Sequence, residues 1–474
     1  MMLIHCKDGL NDEAIIKRLT LEAENYDLEE HQGKRETCFV ILNSMTTLWL
    51  LQTTGLPKQV LCKFDLFVTT QADFMAKSLL VKLPGSKNTY PTLDRTPITL
   101  DSDVTVHLVI LGATDLAEAI ALNAALVAHY PNYNREHRLR TRITILADDI
   151  FAWRDHLIQR YQHLFDNSHY RTINLEEDTP HCVNHTPMYS KTREDFVDVE
   201  WEFVNGDATN EAFRAKLVEW SLADTQQLTI ALCHDDAEAN HNLAFSFPDE
   251  VYLQKTPILC HAEDTTLIDL ARNDEKYQGI LPFGSQICQW ETLQTLLDIA
   301  KRINYVYHFS FASESENAGI PTDIDDNQLD ELWSDVSTLP KQFSNIFNAM
   351  TLGTKMHSLG HEQGDWNTYY AVSKEEVQLL TEVEHNRWNL EELLLGYRPV
   401  TDEEQAAIEN DISLKKTYRN KKIHYDIRAF DDLRVDATGK NVYIYDMVLC
   451  QSIPLIMRKS ITESTLNTSP CTTR

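Results

Sequence analysis

Between residues 104 and 302 the apolar positions fall into short dense runs separated by stretches of helical spacing. VTVHLVILG (104–112) is rich in β-branched residues and stops at a glycine. Behind it, DLAEAIALNAALVAHY has the alanine and leucine density of a long buried helix, stopped by Pro131-Asn132. RITILADD (142–149), EWEFVNGD (200–207), QLTIALCHDD (227–236), TPILCHA (256–262) and GILPFG (279–284) are further strand-like runs. EAFRAKLVEWSLAD, a segment ending near Phe245, and residues 287–302 have helical composition. Strands alternating with helices predict an α/β fold, a Rossmann-like and mostly parallel sheet with helices on both faces. Ligands of such sheets sit beyond the carboxyl ends of the strands. The stretch between the second and third runs is irregular and predicts no element.

The flanks read differently. A helix from about Asn11 to Glu24, strands at Cys38–Leu42 and Lys63–Val68, and a helix over Thr46–Gln52 predict an N-terminal α/β extension (1–103) forming a layer on the central domain (104–311). It ends in a loop over 83–103. Residues 312–330 are polar, acidic and poor in large apolar side chains, which predicts a linker. A mainly helical C-terminal domain occupies 331–458, and the Ser/Thr-rich 459–474 read as a disordered tail. The strongest helical signal there runs from about Glu375 to Leu395, with Gly396 as its stop. Leu379, Val383, Leu390 and Leu394 share one stripe at 100° per residue. Glu384, Arg387, Trp388 and Glu391 fall on the neighbouring stripe, where three- and four-residue spacings suit ion pairs.

Charge narrows the partners. The chain has 474 residues, 72 of them acidic against 43 basic, for a formal net charge of −29. Such a surface repels phosphate backbones and anionic membranes, so neither nucleic-acid binding nor membrane docking is expected. The most apolar run, Cys38 to Leu51, is too short and too interrupted to span a bilayer. The start MMLIHCKDGLNDE lacks the form of a signal peptide. Nine scattered cysteines with no CxxC pair suggest reduced thiols and a cytoplasmic protein.

Candidate chemistry concentrates at the strand ends. A dinucleotide turn needs Gly-x-Gly-x-x-Gly; here Gly112-Ala113-Thr114-Asp115-Leu116-Ala117 keeps the first glycine and a small residue at the third position. Thr114 adds a side chain where phosphate would approach, and Asp115 competes with phosphate for the helix amides. Asp148 and Asp149 end the second strand, where an acid can bind ribose hydroxyls or cap the following helix. His234 and Asp235 repeat that choice at a later strand end. NAD or another nucleotide is therefore a possible cofactor, through a degraded fingerprint. His181-Cys182-x-x-His185 lacks an evident fourth zinc ligand and reads as a loop. Asp323-x-Asp325-x-Asn327 lacks the glycine and glutamate of a calcium loop. Tyr370-x-x-x-Lys374 imitates a dehydrogenase dyad far from the candidate turn.

Two resemblances follow. Glu384-His385-Asn386-Arg387-Trp388, with Gly396-Tyr397 behind it, resembles the RyR domain, the helical repeat first named in ryanodine receptors and found in many bacterial proteins. His424, Phe430, Leu433, Asp446 and Ile453-Pro454 follow the order of that family's second segment. Tyr397 stands where tryptophan is usual, and Arg398-Pro399 where Tyr-Gly would fall. ILGATDLAEAIALNAAL, LTIALCHDDAEANHNLAF and TPILCHA are similar to the NAD-binding domains of Trk-type potassium-transport regulators. Together these imply a non-catalytic sensor of a nucleotide-like small molecule. In the RyR-like unit Trp388 and Tyr397 would stack on a ring, Arg387 would neutralise a phosphate, and Glu384 and His385 would orient polar groups. The opposing reading packs Trp388 in the core and pairs Glu384 with Arg387. A ligand would change the angle between domains across 312–330. Such a sensor would act as a homo-oligomer or on an effector protein; an NAD(P)-dependent oxidoreductase and a non-catalytic interaction scaffold remain alternatives.

Overall fold

Six parallel strands alternate with helices from residue 105 onward, as the apolar runs require. In chain order the strands of the protein are β1 (Met2–His5), β2 (Glu36–Leu42), β3 (Phe64–Thr70), β4 (Thr105–Leu111), β5 (Thr141–Ala147), β6 (Tyr170–Asn174), β7 (His181–His185), β8 (Val199–Asn205), β9 (Gln226–Leu232), β10 (Ile258–Ala262) and β11 (Ile280–Gly284). A short pair, β12 (Arg398–Pro399) and β13 (Ile423–His424), lies in the C-terminal part. The computed structural model describes residues 2–5, 9–29, 35–83, 90–176, 181–188, 195–284, 290–311, 319–336, 338–361, 372–433 and 441–464. Tyr370, residues 312–318 and residues 465–474 thus lie outside the described residues.

The large sheet has the order β11-β10-β9-β4-β5-β8-β6-β7, parallel except for β7. Leaving out β6 and β7, this is the doubly wound Rossmann order, in which the chain steps one way from β4 to β5 and β8 and then returns to β9 and steps the other way. The irregular stretch of sequence supplies β6 and β7. Its strands are short, β6 half-buried and β7 mostly exposed, so they carry no dense apolar run.

Side chains alternate across this sheet with a period of two. Val106, Leu108 and Ile110 of β4 face one core, which also holds the Asp115–Val127 helix, the Trp290–Phe311 helix and both flanking regions of the chain. Val109 and Leu111 face a second core under the helices Glu211–Leu222, Ala237–Ala244 and Asp249–Leu253. A strand apolar on both sides demands cover on both sides, which explains the near-continuous hydrophobic runs.

The N-terminal region is not a layer on that sheet. It forms its own parallel three-stranded sheet, β1-β2-β3, with helices Asp12–Asn25, Met45–Thr54 and Gln71–Leu80. It joins the central unit through helix packing: Gln71–Leu80 lies on Asp115–Val127, and Asn123 Nδ2 donates to Asp73 Oδ1 at 2.9 Å.

The linker expectation also needs correction. Residues 326–334 form a helix docked on Trp290–Phe311, with Ile324 and Leu329 buried. Lys301 pairs with Asp330 at 2.7 Å and with Asp65. The acids that suggested a solvated linker are partners for basic residues on the preceding helix. Residues 459–464, expected in a disordered tail, continue the helix Ile453–Ser464. No helix among the described residues is long and apolar enough to cross a membrane.

Candidate functional site

The carboxyl ends of β4, β5, β8, β9 and β10 share one edge, and the switch point lies between β4 and β9. The chain leaves β4 through Gly112, at φ +120°, a conformation L side chains rarely adopt. A Cβ there would stand 2.9 Å from the carbonyl carbon and oxygen of Cys233. The glycine therefore lets the turn sit directly on the end of β9. Thr114 completes the closure: its Oγ1 donates to the Cys233 carbonyl at 2.8 Å and accepts from the Ala117 amide at 3.2 Å. Ala117 is fully buried, in the packing role expected of it, Ala113 is half-buried, and Asp115 is exposed at the helix start. The hydroxyl at the second fingerprint position is committed to protein, so this turn offers a pyrophosphate little room.

Asp148 and Asp149 stand exposed beside this turn, at the end of β5. Asp149 occupies the N-cap position of the Ile150–Arg160 helix with φ 52° and ψ 44°, yet makes no side-chain cap bond. Asn205, at the end of β8, supplies the cap instead, accepting from the Ile150 amide at 3.2 Å. The capping alternative for these acids is thus corrected. Neither carboxylate has a protein partner among the described residues. Burial, then Asp207 and Glu176, push the Asp148 carboxyl above its ordinary range.

The end of β9 differs from expectation as well. Asp236, not His234 or Asp235, caps the next helix, accepting from the Glu238 amide at 3.0 Å. His234 is held through its backbone by buried Asn240, which also donates to the His261 carbonyl at 3.0 Å and so ties β9 to β10. Asn240 carried no motif signal. Asp235 is exposed and adds to burial in raising the Asp115 carboxyl, against Arg160. Arg160 itself is spent on Glu118 at 2.5 Å. The edge is an acidic rim suited to accepting hydrogen bonds from hydroxyls and poorly suited to clustered phosphates.

The C-terminal helix runs from Lys374 to Leu394, opened by a Ser373–Glu376 capping box and followed by Gly396 at φ +81°. Fourteen of its 21 residues are buried, so it is a central rather than an amphipathic helix. Arg387 is 2% exposed and Glu391 0%. Arg387 bonds Glu384 through Nη2 at 2.7 Å and pairs with Glu391; Lys355 reaches Glu384 at 2.5 Å and Asn348 reaches it at 2.6 Å. Burial opposes the Glu384 charge, but Arg387 and Lys355 outweigh it and bring the carboxyl down to about 2. Glu391 has fewer such partners, and burial prevails and raises it. The assignment of Arg387 and Glu384 to a ligand is corrected here: both are sealed in an internal ionic network.

Trp388 is half-buried and packs against the main core, with the His424 ring at 4.9 Å and the His385 ring at 5.6 Å. Tyr397 is half-buried too, 6.1 Å from His424 and beneath the Lys422 ammonium at 4.4 Å. His385 places Nδ1 3.1 Å from Asp446 and Nε2 3.0 Å from the Arg428 carbonyl. The Lys374–Leu394 helix and the later segment thus meet, His385 with Asp446 and Phe430, and Trp388 with His424.

Among the described residues no cluster of His, Cys, Asp or Glu has the arrangement to hold a metal ion. His181 and Cys182 lie on β7, not on a loop, and as strand neighbours point to opposite faces. Comparison with protein-family models, with curated proteins and with solved structures finds no match to this chain.

Proposed function

We propose that this is a cytoplasmic ligand-sensing protein, in which a Trk-type, NAD-binding-like Rossmann unit takes a nucleotide-like small molecule and a RyR-like helical unit responds, without turnover. One observation carries the reading: the exposed Asp148–Asp149 pair, at the end of the second strand and next to the glycine turn, has no protein partner among the described residues, which suits hydrogen bonds from a ribose diol. The strained αL backbone at Asp149, without a capping role, supports a ligand-directed purpose. The acidic rim and the committed Thr114 favour a nucleoside with few phosphates over a dinucleotide. A response has a physical route, because the Asp115–Val127 helix starts at this edge and packs along its length against Gln71–Leu80 and Lys374–Leu394. The RyR-like unit contributes Trp388 and Tyr397 as its accessible aromatic faces, and Arg387 as a structural ion.

Thermal shift of the whole chain with adenosine, ADP-ribose, NAD, ATP and a cyclic nucleotide tests this. Adenosine is expected to stabilise more than ATP and more than the pyrophosphate-bearing ADP-ribose and NAD, and Asp149→Asn is expected to weaken binding about tenfold, the scale of one hydrogen bond to a charged group. A panel that gives no shift, or binding indifferent to Asp149→Asn, overturns the reading. Steady consumption of NAD would instead favour an oxidoreductase.

A further inference from the structure

We propose a second small-molecule site, on the face of the large sheet under the Glu211–Leu222 helix, that takes a small apolar carboxylate. The cavity over β5, β8 and β6 measures ≈ 500 Å³. That volume is on the scale of drug-like ligand pockets. It exists because β6 and β7 widen the sheet beyond β8, whereas the crossover helix returning to β9 covers only the original Rossmann width. Phe213 and Trp220 from the helix and Ile173 and Val204 from the strands form apolar walls.

The polar end presents two oriented guanidinia, while the other charged residues from the helix, Lys216 and Glu219, are paired with each other at 2.7 Å. Arg142 and Arg171 project from the same face of β5 and β6 and line the cavity. Arg142 spends its Nε on Glu200 at 2.6 Å, and Arg171 spends its Nε on Glu202. The Nη groups of both guanidinia have no protein partner among the described residues. Glu202 is buried with both oxygens engaged, since Thr144 Oγ1 also donates to it at 3.2 Å. It fixes Arg171 rather than competing for a ligand. Both arginines also act on His107, next in the same polar row, whose Nε2 lies 2.8 Å from Thr144 Oγ1. Burial first, then the positive field of Arg142 and, less, of Arg171, hold the His107 ring neutral. Two oriented guanidinia with free N–H groups at the end of an apolar cavity match a planar, two-oxygen anion on an apolar body. In a chain of net charge −29, two guanidinia with open N–H groups in an apolar recess offer an anion a site.

The test uses the full chain with phenylacetate and its neutral counterpart phenylacetamide as probes. Two readouts are independent: thermal shift, and the rate at which exposed Cys182, on the cavity lining, is alkylated, followed by peptide mass spectrometry. Phenylacetate is expected to stabilise saturably and to slow Cys182 alkylation at least threefold. Phenylacetamide should bind at least tenfold more weakly. Arg171→Gln and Arg142→Gln, both at partly exposed positions, should each lose about tenfold in phenylacetate affinity while leaving the response to adenosine unchanged. Equal binding of acid and amide, saturable binding indifferent to both arginine variants, or no binding with Cys182 alkylated at an unchanged rate each overturns the proposal.

Discussion

Arg387 shows how residue identity and burial together decide a role. Its guanidinium has lost water and gained two carboxylates, and Lys355 shares one of them. Removing one partner from such a set leaves an uncompensated buried charge, which costs about 3–5 kcal/mol. Arg387→Ala is therefore expected to lower unfolding free energy by that amount in denaturant titration. A loss under 1 kcal/mol would show that solvent reaches the network. Titration gives two predictions of opposite sign. His107 is held down to about 3 against an ordinary 6.5, chiefly by burial. The unfolded chain binds that proton first, so stability is complete above pH 6.5 and falls as pH drops towards 3, by up to about 1.4 kcal/mol per pH unit. His107→Gln should flatten the loss between pH 7 and 5. Glu392 is pushed up to about 8, by burial and then by Glu391. Here the folded state holds the proton longer, so stability falls as pH rises from 4.5 to 8. Glu392→Gln should gain stability relative to the parent between pH 5 and 8, and a constant difference would refute the assignment.

At the scale of elements, the β4 turn and the Lys374–Leu394 helix are the informative pieces. Gly112→Ala combines a positive φ with a contact against immovable β9 backbone. The conformational part alone costs about 1–3 kcal/mol, and the clash adds to it. Unfolding midpoints should drop accordingly, and adenosine binding should weaken because the turn moves away from Asp149. A midpoint unchanged within 1 °C would mean that the strand ends part freely. The helix teaches a different lesson. Its capping box and terminal glycine act locally, and they define its ends whatever surrounds it. Its burial on nearly all sides comes from Leu339–Met350 on one flank, Asp115–Val127 on another and Ile444–Gln451 on a third.

Across the whole molecule, one apolar core runs from Ile4 to Met457 and takes in all three regions of the chain. Polar ties cross the same boundaries. Trp49 Nε1 donates to the Leu394 carbonyl at 3.2 Å, Lys422 Nζ to the Thr53 carbonyl at 3.0 Å, and His357 Nδ1 lies 2.8 Å from Asp94. Independent domains would not share a core in this way. Fragments 1–330 and 331–474, expressed separately, are expected to be insoluble or to lack cooperative unfolding, and the intact chain to unfold in one calorimetric transition. Two soluble fragments, each melting cooperatively, would overturn this.

The amino-acid sequence by itself determined what depends on neighbours along the chain. Strand runs, helix starts and the glycine turn were legible because period, capping and positive φ are local properties: Thr105–Leu111 and Gly396 stand where their patterns put them, while the Asp115–Val127 helix ends three residues before the Tyr130 its pattern reached. Only the tertiary structure decided what each polar residue is for. Glu384 finds Lys355 29 residues away and His385 finds Asp446 61 residues away, and no spacing rule encodes such meetings. Acids that looked like caps were released because Asn205 came from another strand to do the capping. Acids that looked like a linker were captured by Lys301 and Arg302. The physical reason is the same in each case. A charge or hydrogen-bonding group is assigned by whatever satisfies it when water is removed, and folding brings those partners from distant parts of the chain.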